Sequence, residues 1–137
     1  GSGTWTLTST STNSFWGGTE INDGTLAAYG ELSRDVTVVT NGTLKCGGTT
    51  IAGDLNVYGG TLDIDAATGG VGVTVGRYVN LNGATLEISS APESYPFTAI
   101  TSTWDIVGTF AVEPGFAIEY TDHAIILDRA GTTFMFK

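Results

Sequence analysis

The residues that could support nucleophilic or acid–base catalysis are few and widely separated in this sequence. It contains one histidine, His123, and one cysteine, Cys46, in 137 residues. A catalytic Ser or Cys needs an adjacent base, and no G-x-S-x-G motif accompanies the histidine. We therefore expect His123 to be an ordinary strand-end residue. We expect Cys46 to be a buried small side chain, in preference to a reactive thiol or an intermolecular link.

Carboxylates are the second group with potential chemistry. Asp63 and Asp65 are two residues apart, so they would lie on one side of a strand, and Asp54 or Glu87 could join them from neighbouring strands. Paired acids can cleave glycosidic bonds, and clustered acids can bind calcium. The glycine-aspartate nonapeptide of calcium-binding β-rolls is absent. A polysaccharide lyase would also need a basic residue nearby, and the chain has only Arg34, Lys45, Arg77, Arg129 and Lys137. We expect a solvated acidic surface with no metal, no cofactor and no enzymatic activity.

The overall composition excludes several functional classes. Fourteen acidic and five basic residues give a net charge of −9, which disfavours nucleic acid and anionic membrane surfaces as partners. A single cysteine cannot form an intrachain disulfide. The apolar runs are too short for a transmembrane helix, and Gly1-Ser2-Gly3 does not open a basic and apolar leader. We expect no membrane insertion.

A repeated four-residue turn indicates how the chain is organised. It occurs as residues 23–26 (DGTL), 41–44 (NGTL), 59–62 (GGTL) and, more loosely, 83–86 (GATL). Its leucines are Leu26, Leu44, Leu62 and Leu86. Five residues before each of them stands an aliphatic residue, giving a second column of Ile21, Val39, Val57 and Leu81. These eight residues are the predicted structural core.

Short strands separated by glycine- or asparagine-containing turns explain this pattern, and helical periodicity is nearly absent. An antiparallel meander or sandwich accepts such strands, and so does a β-solenoid of 18–24-residue coils. Matched columns favour the solenoid, because stacking places like residues above one another about 4.8 Å apart. Insertions are expected in the turns, at 66–72 and at 28–35.

Residues 5–30 resemble the autotransporter-associated β-strand repeat, whose pattern is approximately L-T-x-x-N-x-[YF]-x-G-G-T-x-I-x-x-G-T-L. The matching positions are Leu7, Thr8, Asn13, Phe15, Gly17, Gly18, Thr19, Ile21, Gly24, Thr25 and Leu26. Residues 35–65 are similar to the downstream coils of such passenger domains, and the segment after residue 84 is similar to their terminal region. The resemblance implies a right-handed parallel β-helix exported to the bacterial cell surface. It identifies the fold better than the activity, because this repeat is a scaffold.

Two groups of aromatic residues are open to more than one interpretation. Trp5, Phe15 and Trp16 lie near the start, and Tyr95, Phe97 and Trp104 flank a proline-containing stretch. The rings could cap the ends of a coil stack, where apolar core and unpaired backbone are exposed. They could instead stack against sugars or contact a partner.

We expect one β-solenoid domain over residues 1–137, with repeat coils in 1–90 and closing strands in 91–137. The predicted function is an extracellular structural module of a surface fibre or layer that associates with itself by end-to-end strand stacking. The contacts would come from segments 3–10 and 131–137, and the expected assembly residues are Trp5, Leu7, Phe134, Met135 and Phe136. The alternatives are a monomeric surface adhesin that binds host or glycan ligands and, less favoured, a glycan-active β-helix enzyme.

Overall fold

The computed structural model describes residues 4–7, 12–13, 18–68 and 71–129. Within these ranges the protein is all-β, apart from one 3₁₀ turn at Ala66–Thr68, and no helix there has the length and hydropathy needed to cross a membrane. The strands in chain order are β1 (Thr4–Leu7), β2 (Thr12–Asn13), β3 (Thr19–Ile21), β4 (Gly24–Ala28), β5 (Glu31–Leu32), β6 (Val36–Val39), β7 (Gly42–Cys46), β8 (Thr49–Ile51), β9 (Leu55–Tyr58), β10 (Thr61–Asp65), β11 (Val73–Val75), β12 (Val79–Asn82), β13 (Thr85–Ser90), β14 (Phe97–Ser102), β15 (Ile106–Val107), β16 (Ala117–Tyr120) and β17 (Ala124–Asp128).

Consecutive strands lie in different sheets, and each strand up to β12 pairs in parallel with the strand three positions later. The first sheet has the order β1-β4-β7-β10-β13, and the third has the order β15-β12-β9-β6-β3. The second sheet runs β2-β5-β8-β11-β14 in parallel and then adds β17 and β16 in antiparallel orientation. Parallel pairing of this kind excludes the antiparallel meander that the sequence left open.

The repeated leucines lie in register across the first sheet. Leu26 pairs with Leu44, Leu44 with Leu62, and Leu62 with Leu86. The threonine before each leucine follows the same register. Leu44, Leu62 and Leu86 are almost completely buried, and Leu26 is partly buried against the same core. Burying one such side chain contributes about 1.5–3 kcal/mol, so this column is a principal source of stability.

The second aliphatic column contains three of its four predicted residues, and Val38 takes the place of Val39. Ile21 pairs with Val38, Val38 with Val57, and Val57 with Leu81. Val38 is fully buried, whereas Val39 is half-buried and pairs with Tyr58. The assignment of Val39 to this column was therefore wrong.

A longer turn causes this shift. Three residues, 39–41, separate Val38 from Gly42, whereas two residues separate Ile21 from Gly24, which pairs with Gly42 in the register. Asn41 makes the longer turn with a φ of 75°, a left-handed conformation that asparagine tolerates better than most residues. Counting back five residues from Leu44 therefore reaches Val39 and not the buried Val38, whereas the same count from Leu26, Leu62 and Leu86 reaches the buried column. We call each set of three successive strands a layer.

A third strand in each layer was not anticipated by the two-column pattern. Segment 28–35 was expected to be an insertion, but it contains β5, whose Leu32 is buried and pairs with Ile51. Residues 66–68 do leave the regular strands, in the 3₁₀ turn. Of the two predicted insertions, the one at 66–72 therefore begins as an excursion from the sheets, and the one at 28–35 does not.

The last layer closes differently from the others. Strands β16 and β17 form an antiparallel pair, and β17 joins β14 in antiparallel orientation. Phe110 is buried beneath this end, and its backbone N–H donates to the Tyr120 hydroxyl at 3.1 Å. That hydroxyl donates to Glu113 Oε2 at 2.5 Å. Burial and the hydrogen bond to Glu113 raise the pKa of Tyr120.

The corrected register predicts different costs for truncating two adjacent valines. Val38→Ala should lower the free energy of unfolding by about 2 kcal/mol, because it removes buried methyl groups and leaves a cavity. Val39→Ala, at a half-buried position, should cost less than about 1 kcal/mol. Urea denaturation of both variants measures the difference. A larger loss for Val39→Ala would contradict the register.

Candidate functional site

Four stacked turns form one corner of the molecule. They connect the second sheet to the third and comprise residues 33–35, 52–54, 76–78 and 103–105, each three residues long. The first residue of a turn donates its backbone N–H to the strand end that precedes the neighbouring turn, as in Ala52 N–H to Leu32 O at 2.9 Å and Gly76 N–H to Ile51 O at 2.7 Å. The equal lengths place equivalent residues above one another. We call this surface the corner groove.

The corner groove contains two adjacent cavities. One has a volume of about 350 Å³ and is lined by Gly18, Ser33, Arg34, Asp35, Ala52, Gly53 and Arg77. The other has a volume of about 330 Å³ and is lined by Tyr78, Thr103, Trp104, Asp105 and His123. Arg77 and Tyr78 are consecutive residues, so the two cavities adjoin each other along the stack.

The aspartates of the corner hold successive turns together. Asp35 Oδ1 accepts a hydrogen bond from the backbone N–H of Asp54 at 2.8 Å, and Asp54 Oδ1 accepts one from the N–H of Tyr78 at 3.0 Å. Each carboxylate therefore satisfies a backbone donor in the next turn. A Cβ on Gly53 would collide with Asp35 Oδ1, so only glycine fits between these turns. The groove is consequently built on a hydrogen-bonded backbone.

Exposed aromatic rings and a cation lie together in the second half of the groove. The Arg77 guanidinium carbon lies 5.1 Å from the centre of the Trp104 ring, and the Tyr78 ring meets the same tryptophan edge-on at 5.0 Å. Tyr78 and Trp104 remain 41% and 42% exposed, although large aromatic surfaces are normally buried. The three side chains hold one another in place while leaving much of both rings open to solvent.

His123 joins this cluster from the turn before β17. Its Nδ1 lies 3.1 Å from the Trp104 carbonyl oxygen, which can only accept, so Nδ1 carries the proton. Its Nε2 lies 3.8 Å from Asp105 Oδ1, and both side chains are more than half exposed. Both ring nitrogens therefore face acceptor oxygens, those of the Trp104 carbonyl and the Asp105 carboxylate. Its position at the end of a strand agrees with the sequence expectation.

Cys46 is far from this groove. It lies in β7 of the first sheet, between Ala28 and Ile64 in the register, and is fully buried. Burial raises the pKa of the Cys46 thiol to about 12, against a smaller opposing effect of its hydrogen bond with Thr49, and the charge of Asp63 adds to the increase. Thr49 Oγ1 in turn donates to the Ala28 carbonyl. The thiol is therefore a packed core group, as expected.

The proposed acidic cluster is only partly assembled. Asp63 pairs with Glu87 on one side and Lys45 on the other, but a register shift after Ile64 aligns Asp65 with Ser90. Asp54 lies in the corner groove instead. Within the described residues, no group of three or more His, Cys, Asp or Glu side chains is arranged to hold a metal ion.

The aromatic residues separate into different environments. Phe97 is buried in the core, and Tyr95 packs at 6.1 Å from Phe116 with Arg129 above its ring, so only Trp104 of this predicted group reaches the groove. Trp5 and Leu7 lie in register with Leu26 and Ala28. Their side chains, together with Phe15, Trp16, Phe134, Met135 and Phe136, lie outside the described residues.

Sequence reasoning singled out Trp104 but missed the arginines and the tyrosine that share the groove with it. Arg34 and Arg77 were noted only as basic residues, and Tyr78 was not singled out. The available signal was the constant three-residue gap between a short strand and the next aliphatic column. Recognising it required the third strand of each layer, which is only two or three residues long in β5, β8 and β11.

Comparison with known proteins adds no assignment. No protein-family model matches the chain, and neither a curated protein nor a solved structure is significantly similar to it.

Ionisation of Cys46 should make the protein less stable at high pH. The folded thiol has a pKa of about 12 against 9.0 in its unperturbed state. The unfolded chain therefore loses this proton first, and the contribution of the neutral thiol is full below about pH 9 and lost as pH rises towards 12. Cys46→Ala, which copies Ala28 at the paired position, should flatten the decline measured by urea denaturation between about pH 8 and 10.5.

Tyr120 also contributes to the loss of stability at high pH, and this contribution has to be separated from that of Cys46. Its pKa is also raised, so both proteins should lose stability above about pH 10, and the difference between them isolates the thiol. The native thiol should also resist a water-soluble disulfide reagent until the protein unfolds. Rapid labelling of the native protein, or identical pH profiles for the two proteins, would contradict this account.

Proposed function

We propose that this chain is an extracellular, non-catalytic structural module with a right-handed β-solenoid fold, which associates with itself through the ends of its coil stack. The observation that carries the proposal is the repeated parallel register, in which each strand up to β12 pairs with the strand three positions later. Three strands then make one coil of 17–27 residues, from the Thr19–Val36 spacing to the Val79–Ile106 spacing in the register. The resemblance to autotransporter passenger repeats supports the same fold and a location at the bacterial cell surface.

The absence of an assembled catalytic group among the described residues is compatible with this role but does not carry it. The positive argument comes from the side chains that recur. Thr25, Thr43, Thr61 and Thr85 and their neighbouring leucines repeat because identical backbone positions stack. Such repetition stabilises the packing between neighbouring layers, and further layers can be added with the same contacts.

The two ends of the stack differ in a way that supports directional association. Strands β1, β2 and β3 are the outer members of their sheets at one end, and no strand pairs with their outer edges within the described part of the chain. An edge of this kind binds an incoming strand through its free N–H and C=O groups. The incoming strand proposed here belongs to a second copy of the chain.

The opposite end supplies the proposed second surface. It carries β13, β15 and the antiparallel pair β16–β17, with exposed valines at Val107 and Val112. The apolar segment 131–137 follows directly on this end in the sequence, and we propose that it provides the strand that meets β1. Phe134, Met135 and Phe136 would contribute the apolar contacts there, with Trp5 and Leu7 opposite them.

A monomeric surface module that binds a ligand is the second candidate function. It is favoured by the exposed Tyr78–Trp104 pair of the corner groove, since neither ring is needed to fill the core. The two functions use different parts of the molecule, the ends and one flank, and can be tested separately.

Removal of residues 131–137 should abolish self-association without unfolding the sheets. The full chain should form uniform filaments by negative-stain electron microscopy and multiples of its 14.2 kDa mass by light scattering after size exclusion. The truncated chain should elute as a monomer with an unchanged urea midpoint.

A matched control keeps the apolar side chains in place. Thr132→Ser with Thr133→Ser alters the same segment but retains Phe134, Met135 and Phe136, and it should still form filaments. Polymerisation of the truncated chain would refute the end-to-end mechanism, and so would a full chain that stays monomeric at every concentration.

A further inference from the structure

We propose that the corner groove binds an acidic saccharide, with the carboxylate held between Arg34 and Arg77 and the sugar ring against Tyr78 and Trp104. This inference rests on the second candidate function above and does not require end-to-end association. It names the class of ligand from the chemistry of the groove, which combines cations, carboxylates and exposed rings in one place.

The arginines stand on either side of a gap in the stack. The central residues of the four turns are Arg34, Gly53, Arg77 and Trp104, in the order of the layers. One layer, that of Gly53, lies between the arginines, so two layer spacings place their backbones about 10 Å apart. Gly53 contributes no side chain between them, and the cavity of about 350 Å³ occupies this space. The glycine that the tight backbone requires thus also leaves room for a ligand.

Both guanidinium groups are available to an anion. Neither Arg34 nor Arg77 forms an ion pair with a carboxylate of the described residues, although the chain carries a net charge of −9. Arg77 contacts Trp104 on one side, with its guanidinium carbon 5.1 Å from the centre of the ring. A guanidinium carries five N–H donors in a planar fork, and a pair of them matches a carboxylate in a bidentate arrangement.

The rest of the groove selects a hydroxylated ring over a simple anion. Asp35 and Asp105 line the two cavities, and their oxygens can only accept hydrogen bonds, which suits sugar hydroxyl donors. Sulfate has no hydroxyl donor to offer, and its two negative charges would be repelled by these carboxylates more strongly than the single charge of a sugar carboxylate. The negative faces of exposed aromatic rings attract the weakly positive C–H edges of a pyranose. Together these groups fit a saccharide that carries a carboxylate.

The probe that tests this is tetragalacturonate, titrated into the isotopically labelled protein and followed by heteronuclear NMR. A short oligosaccharide at about 0.15 M ionic strength limits long-range repulsion by the acidic surface, since the screening length is then about 8 Å. Backbone amide shifts should concentrate in residues 33–35, 52–54, 76–78 and 103–105, together with the Trp104 indole. We expect a dissociation constant on the order of 1 mM or tighter.

Matched ligands and variants separate recognition from chance. The fully methyl-esterified tetramer keeps the rings but loses the charge, and it should bind at least about tenfold more weakly, as should Arg77→Gln and Trp104→Ala with the acid form. Arg129→Gln is the control, because Arg129 also lies 5.1 Å from an aromatic ring, that of Tyr95, but lines neither cavity of the groove. It should bind tetragalacturonate as the unmodified chain does.

Several results would overturn the proposal. These are equal binding of the acid and the ester, equal binding of sulfate, equal losses in Arg77→Gln and Arg129→Gln, or no shifts in the groove at millimolar ligand. Light scattering of the same samples reports association independently. If the unmodified chain forms filaments but does not bind tetragalacturonate, this inference alone is refuted. If it binds tetragalacturonate but forms no filaments, only the end-to-end mechanism is refuted.

Discussion

Parallel backbone hydrogen bonding between successive layers is the interaction on which the rest of this structure depends. Each strand up to β12 forms parallel N–H···O=C hydrogen bonds with the strand three positions later, and the spacing between them is about 4.8 Å. At that distance a side chain meets its equivalent in the next layer directly. Leucine therefore stacks on leucine and threonine on threonine in the first sheet, because a residue of very different volume in the leucine column would leave a void or a clash.

The same constraint explains why a groove can form on the flank of a stacked sheet protein. Turns of equal length keep their central residues aligned, so substitutions at that one position build a surface layer by layer. The longer excursion that starts at Ala66 lies between the first and second sheets, at a different corner. The second and third sheets therefore stay in register through it, and Arg34, Gly53, Arg77 and Trp104 remain in one column.

The backbone of the corner groove both holds the turns together and positions the side chains that could contact a ligand. Asp35 and Asp54 each accept one hydrogen bond from the turn of the next layer, and these bonds fix the backbone N–H groups of Asp54 and Tyr78. The aromatic and cationic side chains then project from a frame that does not have to be ordered by a ligand. Preorganisation of this kind lowers the entropic cost of binding. The antiparallel strands β16 and β17 cover only the last layer of the second sheet, so they leave the flank open.

Local sequence determined the residues that repeat and the strands that carry them. The leucine and threonine columns could be predicted because turns that need glycine or asparagine recur at a nearly constant distance from a buried leucine. Parallel stacking was inferred from the same columns, since a meander gives no reason to repeat them. Val39 was misplaced because a single extra turn residue, stabilised by Asn41 in a left-handed conformation, changes the count without changing the pattern.

Tertiary structure alone decided the third strand and the corner groove. Strands of two or three residues have too short an alternation to be recognised, and β5 exists because β8 supplies its hydrogen-bond partners. Arg34 and Trp104 are 70 residues apart in the sequence and share a column only after the layers stack in register. No local pattern encodes that proximity, because it is the sum of every turn length between them.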